Sequence, residues 1–309
     1  MTNRIVTLSS PAGALKGPFR LAIAMVCVTA VTILWGAMTT STGSGLAFAD
    51  WPTSDGAFMP ERSYTTLPGF LEHFHRLFGA TAGLLSLWLA LWLHFGRRGD
   101  RRVRMTAWLG GCLILTQGLL GGVGVLKELP AATSVTHGTL AQLTLSTFVW
   151  AAYQLSDRYR NTPVAADVAP GSGRKLVLFA LIILIVQTVI GAVARHTNSP
   201  HALWTHVGNA FIVFLVGAIA AAFAMGRLAA TPGIRTLSRS IVLLLIVQIA
   251  LGFVALAIRS DAGKSPENVA NLVTASVISA HVIFGATLTV LMAALAAHVF
   301  RATRSADPS

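Results

Sequence analysis

The segment Leu71-Glu72-His73-Phe74-His75-Arg76-Leu77-Phe78-Gly79 decides how the chain is read, because ionisable side chains crowd the start of a long apolar run there. A charged side chain held in hydrocarbon costs about 2.5 to 3.5 kcal/mol on insertion scales, so such a cluster needs internal partners or a task. The composition around it says that the hydrocarbon is real. Of 309 residues, 54% are hydrophobic and 11% charged, and the mean hydropathy is +0.68, outside the range of ordinary soluble domains.

Eight runs are long enough to cross a bilayer: Phe19 to Met38, Phe74 to Phe95, Met105 to Leu126, Ser134 to Leu155, Leu176 to Ala194, Ala202 to Met225, Ser240 to Ile258 and Leu272 to Val299. The fold class is therefore all-α, a polytopic membrane protein of eight transmembrane helices, with an even count that puts both termini on one side. Of the 23 basic residues, 17 fall on the terminal face, from Arg4, Lys16 and Arg20 through the Arg97 to Arg104 group to Arg301 and Arg304. The other face holds Arg62, Arg76, Lys127, Arg195, Arg259 and Lys264. The positive-inside rule makes the termini cytoplasmic. The net charge of +12 follows this loop bias, so no nucleic-acid partner is expected. The N-terminal run lacks a small-residue cleavage signature and is read as a retained first helix. Cys27 and Cys112 both lie inside apolar runs and read as small buried hydrophobes, with no disulfide framework or thiolate metal site.

Between the first run and Glu72 lies the longest outer loop, of over thirty residues. Its Gly, Pro and Ser, with Trp51 and Phe58, suit a structured cap on the membrane surface. A polar stretch, Ser156 to Gly173, with Pro163, Pro170, Gly171 and Gly173, divides the chain into residues 1–156, a linker over 157–173, and residues 174–309.

The second half repeats the first. Gln-x3-Gly recurs near the outer ends of three odd-numbered runs as Gln117–Gly121, Gln187–Gly191 and Gln248–Gly252, while a histidine recurs in the outer part of each even-numbered run. Such a pattern marks an internal duplication, here two four-helix bundles of parallel topology about an axis along the membrane normal. Of the nine histidines, His94 and His298 sit near cytoplasmic helix ends, where snorkelling accounts for them. His196 and His201 read as loop-surface residues. His73 points to another helix face than His75 and reads as a neighbour of the site or an interfacial residue.

His75, His137, His206 and His281 remain, two per half. The residue one turn on from each is small: Gly79, Ala141, Ala210 and Gly285. Zinc wants more ligands than one pair offers; copper on two imidazoles stays open. Two axial imidazoles on a haem iron, one from each of two helices in a bundle core, fit the count, the spacing and the apolar lining best. The halves differ in one respect, since Glu72 stands three residues before His75 and Leu203 three before His206.

The ordered set Thr42-Gly43-Ser44-Gly45-Leu46, Asp50-Trp51-Pro52, Glu72-x-x-His75-Arg76, Gln117 to Gly121, His137, Gly191-Ala192, Arg195-His196-Thr197, His206 and His281 resembles the heme A synthase family over nearly the whole chain. That resemblance implies an eight-helix oxidoreductase of the bacterial inner membrane, with its heme sites toward the outer face, which oxidises the C8 methyl group of heme O to the formyl group of heme A. It implies that His206 and His281 ligate a heme b cofactor, that His75 and His137 flank the substrate heme, and that Glu72 is needed for activity. The partners it implies are heme O as substrate, a heme O synthase, cytochrome oxidase assembly and membrane lipid; homo-oligomerisation stays open. Thr40 stands where many members carry Arg, and the outer loop lacks the cysteine pair of some members, which leaves Arg76 and Arg195 as candidates for contact with heme propionates. Two rival readings are a bis-His diheme cytochrome trading electrons with quinone, and a transporter with a histidine proton relay.

Overall fold

Helices of membrane-crossing length dominate the computed structural model, which describes residues 15–161, 170–262 and 272–303. In chain order they are α1 (Lys16–Ser41), α2 (Arg62–Thr65), α3 (Leu67–Phe95), α4 (Arg101–Leu126), α5 (Ala131–Leu155), α6 (Asp157–Asn161), α7 (Pro170–Thr197), α8 (Pro200–Arg227), α9 (Ile234–Ala262) and α10 (Leu272–Ala302). Among the described residues there is no strand, only one isolated bridge between Ser54 and Ala57. Arg4, Pro163, Lys264 and Arg304, used above to read topology and linker, lie outside the described residues.

Each long helix overruns its apolar stretch, and at three of them a side-chain cap sets the N-terminal end. Thr66 accepts from the Gly69 N–H at the head of α3, Asp100 from Val103 at the head of α4, and Ser199 from Ala202 at the head of α8. The early start of α3 brings Glu72 inside the helix. Among the described residues, seven helices, α1, α3, α4 and α7 to α10, are long and apolar enough to cross a membrane. The eighth long helix, α5, is the less apolar one, with Thr, Ser, Gln and His along its length. Its position accounts for that: α5 touches α1, α4, α7 and α10, so protein shields much of it from lipid.

Helix contacts close two rings, α1–α3–α4–α5 and α7–α8–α9–α10, joined where α1 meets α10, α5 meets α10 and α5 meets α7. The core of the second ring is rich in alanine, with Ala180, Ala220, Ala221 and Ala224 all buried, which lets backbones approach closely where lipid offers no hydrophobic drive. Large apolar side chains turn outward instead: Leu84, Trp88, Leu115, Leu215 and Leu243 are all exposed. The same inversion overturns the expectation for the cysteines, since Cys27 and Cys112 are exposed. In a membrane span apolar character is satisfied by lipid, so it does not signal burial. His298 also departs from expectation. It is buried, with Nδ1 2.8 Å from the Tyr153 hydroxyl, because α5 and α10 close over it before it could reach the interface. In the stretch 157–173, helix advances from both sides, with α6 on one flank and the first turn of α7 on the other.

Candidate functional site

The loop after α1 is a built structure. Asp50 organises its tip, accepting from the Asp55 and Gly56 N–H groups and from the Thr53 hydroxyl. Those bonds, that of Thr53 foremost, hold the Asp50 carboxyl well below the usual carboxylate range. Arg62 pairs with Asp55 through both carboxylate oxygens. Phe48 is fully buried beneath the guanidinium groups of Arg62 and Arg76, 5.0 and 5.7 Å from its ring centre. The Phe58 side chain, read with Trp51 as part of a cap on the membrane surface, is 83% exposed. Trp51 does the anchoring, its indole lying so close to Gly122 on α4 that a Cβ there would meet it at 2.5 Å.

The cluster at the head of α3 is what ties this loop down. Glu72 is buried, pairs with Arg76 through Oε1, and accepts the Phe48 N–H at 3.0 Å through Oε2. The Arg76 guanidinium also donates to the carbonyls of Phe48, Asp50 and Thr53. His73 faces the loop as well, with Nδ1 3.0 Å from Ser54 Oγ. A charged pair this deep stands only because its remaining hydrogen-bonding positions are filled, and the chain fills them with loop backbone.

His75 faces the other way, into the ring, toward His137. Their ring centres are 6.3 Å apart, and those of His206 and His281 are 6.1 Å apart. Two imidazoles bound through ring nitrogens to one metal at about 2 Å each, with about 1.2 Å more from nitrogen to ring centre, stand about 6.4 Å apart. Both pairs therefore fit a bis-imidazole iron. Among the described residues no three His, Cys, Asp or Glu side chains converge as a metal cluster, so each pair stands alone.

Glycines seat all four rings. A Cβ on Gly36, Gly121, Gly191 or Gly252 would lie 2.6, 3.4, 2.7 or 3.2 Å from the Cε1 atom of His75, His137, His206 or His281 respectively. The recurring Gln-x3-Gly thus has a physical meaning. Its Gly is the seat, and in two of the three copies its Gln, one turn earlier, reaches the backbone of the seated histidine: Gln117 Nε2 donates to His137 O at 3.0 Å and Gln187 Nε2 to His206 O at 2.8 Å. Asn209 Nδ2 in turn donates to Gln187 Oε1 at 2.9 Å. Gly36 is the seat that sequence reading missed. Thr32 stands one turn before it, and Thr32 O lies 3.0 Å from His75 Nδ1, just as Gln187 O lies 3.2 Å from His206 Nδ1. Donation from Nδ1–H to a carbonyl leaves Nε2 as the ligating atom. Nδ1 of His137 and of His281 is buried outside hydrogen-bond geometry. The small residues one turn after each histidine do not all make room for a ligand: the Cβ position at Gly285 is taken by Gln248 Nε2, at 2.8 Å.

Arg195 lies at the end of α7, between the pairs. It donates to Ala37 O and Ser41 Oγ of α1, both at 2.8 Å, and Ser41 Oγ meets Ser279 Oγ of α10 at 3.2 Å. His196, expected at the surface, is half-buried.

Fold and site together define a multi-pass helical membrane protein built around two imidazole pairs. The chain belongs to the COX15-CtaA family, described as cytochrome oxidase assembly protein, whose profile matches residues 19–212, past His206 but short of His281. It is similar to the heme A synthase of Symbiobacterium thermophilum, 30% identical over 212 residues that cover 66% of this chain and 68% of that protein. It is 28% identical to the Bacillus licheniformis heme A synthase over 199 residues, 60% of each chain. Against the Halalkalibacterium halodurans heme A synthase the identity is 27% over 171 residues, 55% of this chain and 56% of that one. The chain thus spans less than two thirds of the length of these last two relatives.

Proposed function

We propose that this protein is a heme A synthase, which oxidises the C8 methyl group of heme O to a formyl group and so makes heme A for terminal oxidases. The observation that carries the reading is a duplicated imidazole pair at iron-bridging spacing, with a carboxylate three residues before the first histidine in one half only. Relatives that bear the name heme A synthase support it, and none of them favours a plain diheme electron carrier.

In this reading the chain is one enzyme of two halves, 1–156 and 174–309, joined over 157–173, and all eight long helices span the membrane. His206 and His281 hold a resident heme b, their rings fixed by Gly191, Gly252 and the Gln187 carbonyl. When bound, that heme supplies a one-electron redox centre without an open coordination position. His75 and His137 bind the substrate heme O in the first half. Glu72, three residues before His75 on α3, has two roles. Its pairing with Arg76 and Phe48 ties the loop to the head of α3, and, on the same helix as His75, it is the candidate acceptor of the protons released as the methyl group is oxidised. Arg76 does not suit a heme propionate, because both its Nη atoms already bond to the loop and to Glu72; Arg195, at the end of α7, is the remaining candidate.

The enzyme lies in the bacterial inner membrane with both termini in the cytoplasm and the histidine pairs toward the outer face, in line with the basic-residue bias. Its substrate implies a heme O synthase upstream and oxidase assembly downstream. Co-expression with a heme O synthase, followed by heme extraction and chromatography, tests the assignment. Glu72→Gln should keep bound heme yet yield little heme A, and His75→Ala should lose heme A while heme b remains. Heme A formed at the normal rate by either variant would sink it.

A further inference from the structure

At the end of the bundle remote from the histidine pairs, the two rings do not meet flush. Between α5 and α10 lies an apolar cavity of about 290 Å³, walled by Val149, Trp150, Tyr153, Ala293, Ala297 and Phe300. A second cavity, of about 240 Å³, shares Trp150, Ala297 and Phe300 and is closed by Gln154, Tyr159, Arg102 and Arg301. Shared walls make the two one groove, apolar toward the membrane interior and cationic at its mouth. The void exists because α10 offers alanines where α5 offers aromatic rings.

Among the described residues, the polar groups at the mouth keep unused hydrogen-bonding capacity. The Arg102 guanidinium makes no hydrogen bond or ion pair with any described residue; the Thr106 hydroxyl donates to its backbone carbonyl. Arg301 commits only Nε, at 3.3 Å from Tyr159 O, and rests its guanidinium 5.3 Å from the centre of the Tyr159 ring, which leaves its Nη groups to a ligand. Gln154 is only 8% exposed, and its Oε1 accepts no hydrogen bond. A buried amide without a partner is costly unless something supplies one.

We propose that this groove binds an anionic phospholipid of the cytoplasmic leaflet, with its phosphate between Arg102 and Arg301, a head-group or glycerol hydroxyl on Gln154, and an acyl chain between α5 and α10. Guanidinium forks match phosphate oxygens, and basic pockets between transmembrane helices on the cytoplasmic side bind anionic head groups. Trp150 and Tyr153 in the last turns of α5 and Tyr159 in α6 stand at the end of the bundle that the basic-residue bias assigns to the cytoplasmic face, where amphipathic rings suit head groups. An uncharged isoprenoid quinone would fill the apolar wall but leave both arginines without a counter-charge. The site rests on the membrane orientation given above and not on the heme chemistry.

The test is native mass spectrometry of the full-length protein purified from membranes that contain phosphatidylglycerol and phosphatidylethanolamine, with heme content read separately. One phosphatidylglycerol should stay on each chain in preference to phosphatidylethanolamine. Retention should fall at least tenfold in the Arg102→Gln/Arg301→Gln double variant and return in Arg102→Lys/Arg301→Lys. Ala293→Phe, which keeps both arginines but fills the groove, should also release the lipid, and it decides the matter if the double variant does not fold. Equal retention of both lipids, retention unchanged in the glutamine and phenylalanine variants, or a bound quinone in place of phospholipid would each overturn the proposal, whatever heme the protein carries.

Discussion

Replacing Gly191 by Ala adds one methyl group 2.7 Å from Cε1 and 2.9 Å from Nδ1 of His206. Carbon atoms rest about 3.5 to 4.0 Å apart, so the imidazole must withdraw by roughly 1 Å. His206 can swing only by giving up the bond from Nδ1 to Gln187 O, now 3.2 Å. Metal–ligand distances tolerate only about 0.2 Å of error, so a ring moved that far no longer holds an iron shared with His281. Loss of comparable supporting contacts lowers metal affinity about 10- to 100-fold, and a tenfold loss or more of heme b is the expected outcome. The backbone responds with the opposite sign, because Ala in a helix interior is about 0.8 to 1.0 kcal/mol better than Gly. Heme-free protein should therefore unfold no more easily than the parent while its heme-to-protein ratio drops. The assay is the Soret absorbance per chain, with denaturant unfolding of the heme-free form alongside. Gly118→Ala is the control, since a Cβ there meets nothing within 4 Å; it should leave heme content unchanged. A Gly191→Ala protein with full heme and an unaltered bis-imidazole spectrum would refute the seat-and-ligand reasoning.

Two further outcomes concern the loop. Arg76→Gln leaves Glu72 buried without its ion pair, a loss of about 3 to 5 kcal/mol where a buried pair is broken, and should expose residues 42–66 to limited proteolysis; unchanged cleavage would mean that the loop is held by other contacts. Asp50 has a depressed folded pKa, so its contribution is complete above the unfolded value of about 3.9 and is lost as pH falls through the lower folded value. Hydrogen exchange at the Asp55 and Gly56 amides should therefore stay slow at pH 5 and quicken only in stronger acid, whereas Asp50→Ala should exchange fast at both.

Much of this was legible before any coordinates. The apolar runs located the long helices because hydrocarbon forces every backbone group into internal hydrogen bonds, and the recurrence of His with Gln-x3-Gly picked out the four imidazoles. Where residues point was less legible. Cys27 and Cys112 look like core by composition and face outward, while His298 looks like an interfacial residue and is buried against Tyr153. Gly36 carried a faint signal, the spacing from Thr32, but without Gln the repeat was not visible on the first helix.

Composition, periodicity and the order of motifs were enough to determine a helical membrane protein with one histidine pair per half, since hydropathy and helical spacing are local properties of the chain. Tertiary structure alone decided what the Glu72 to Arg76 segment does at each face of α3. One face turns Glu72 and Arg76 to the loop that they pin, and the other turns His75 to Gly36 and His137. Adjacent residues on a helix diverge by about 100°, so their partners are set by which neighbour each direction meets, and only the assembled ring supplies those neighbours.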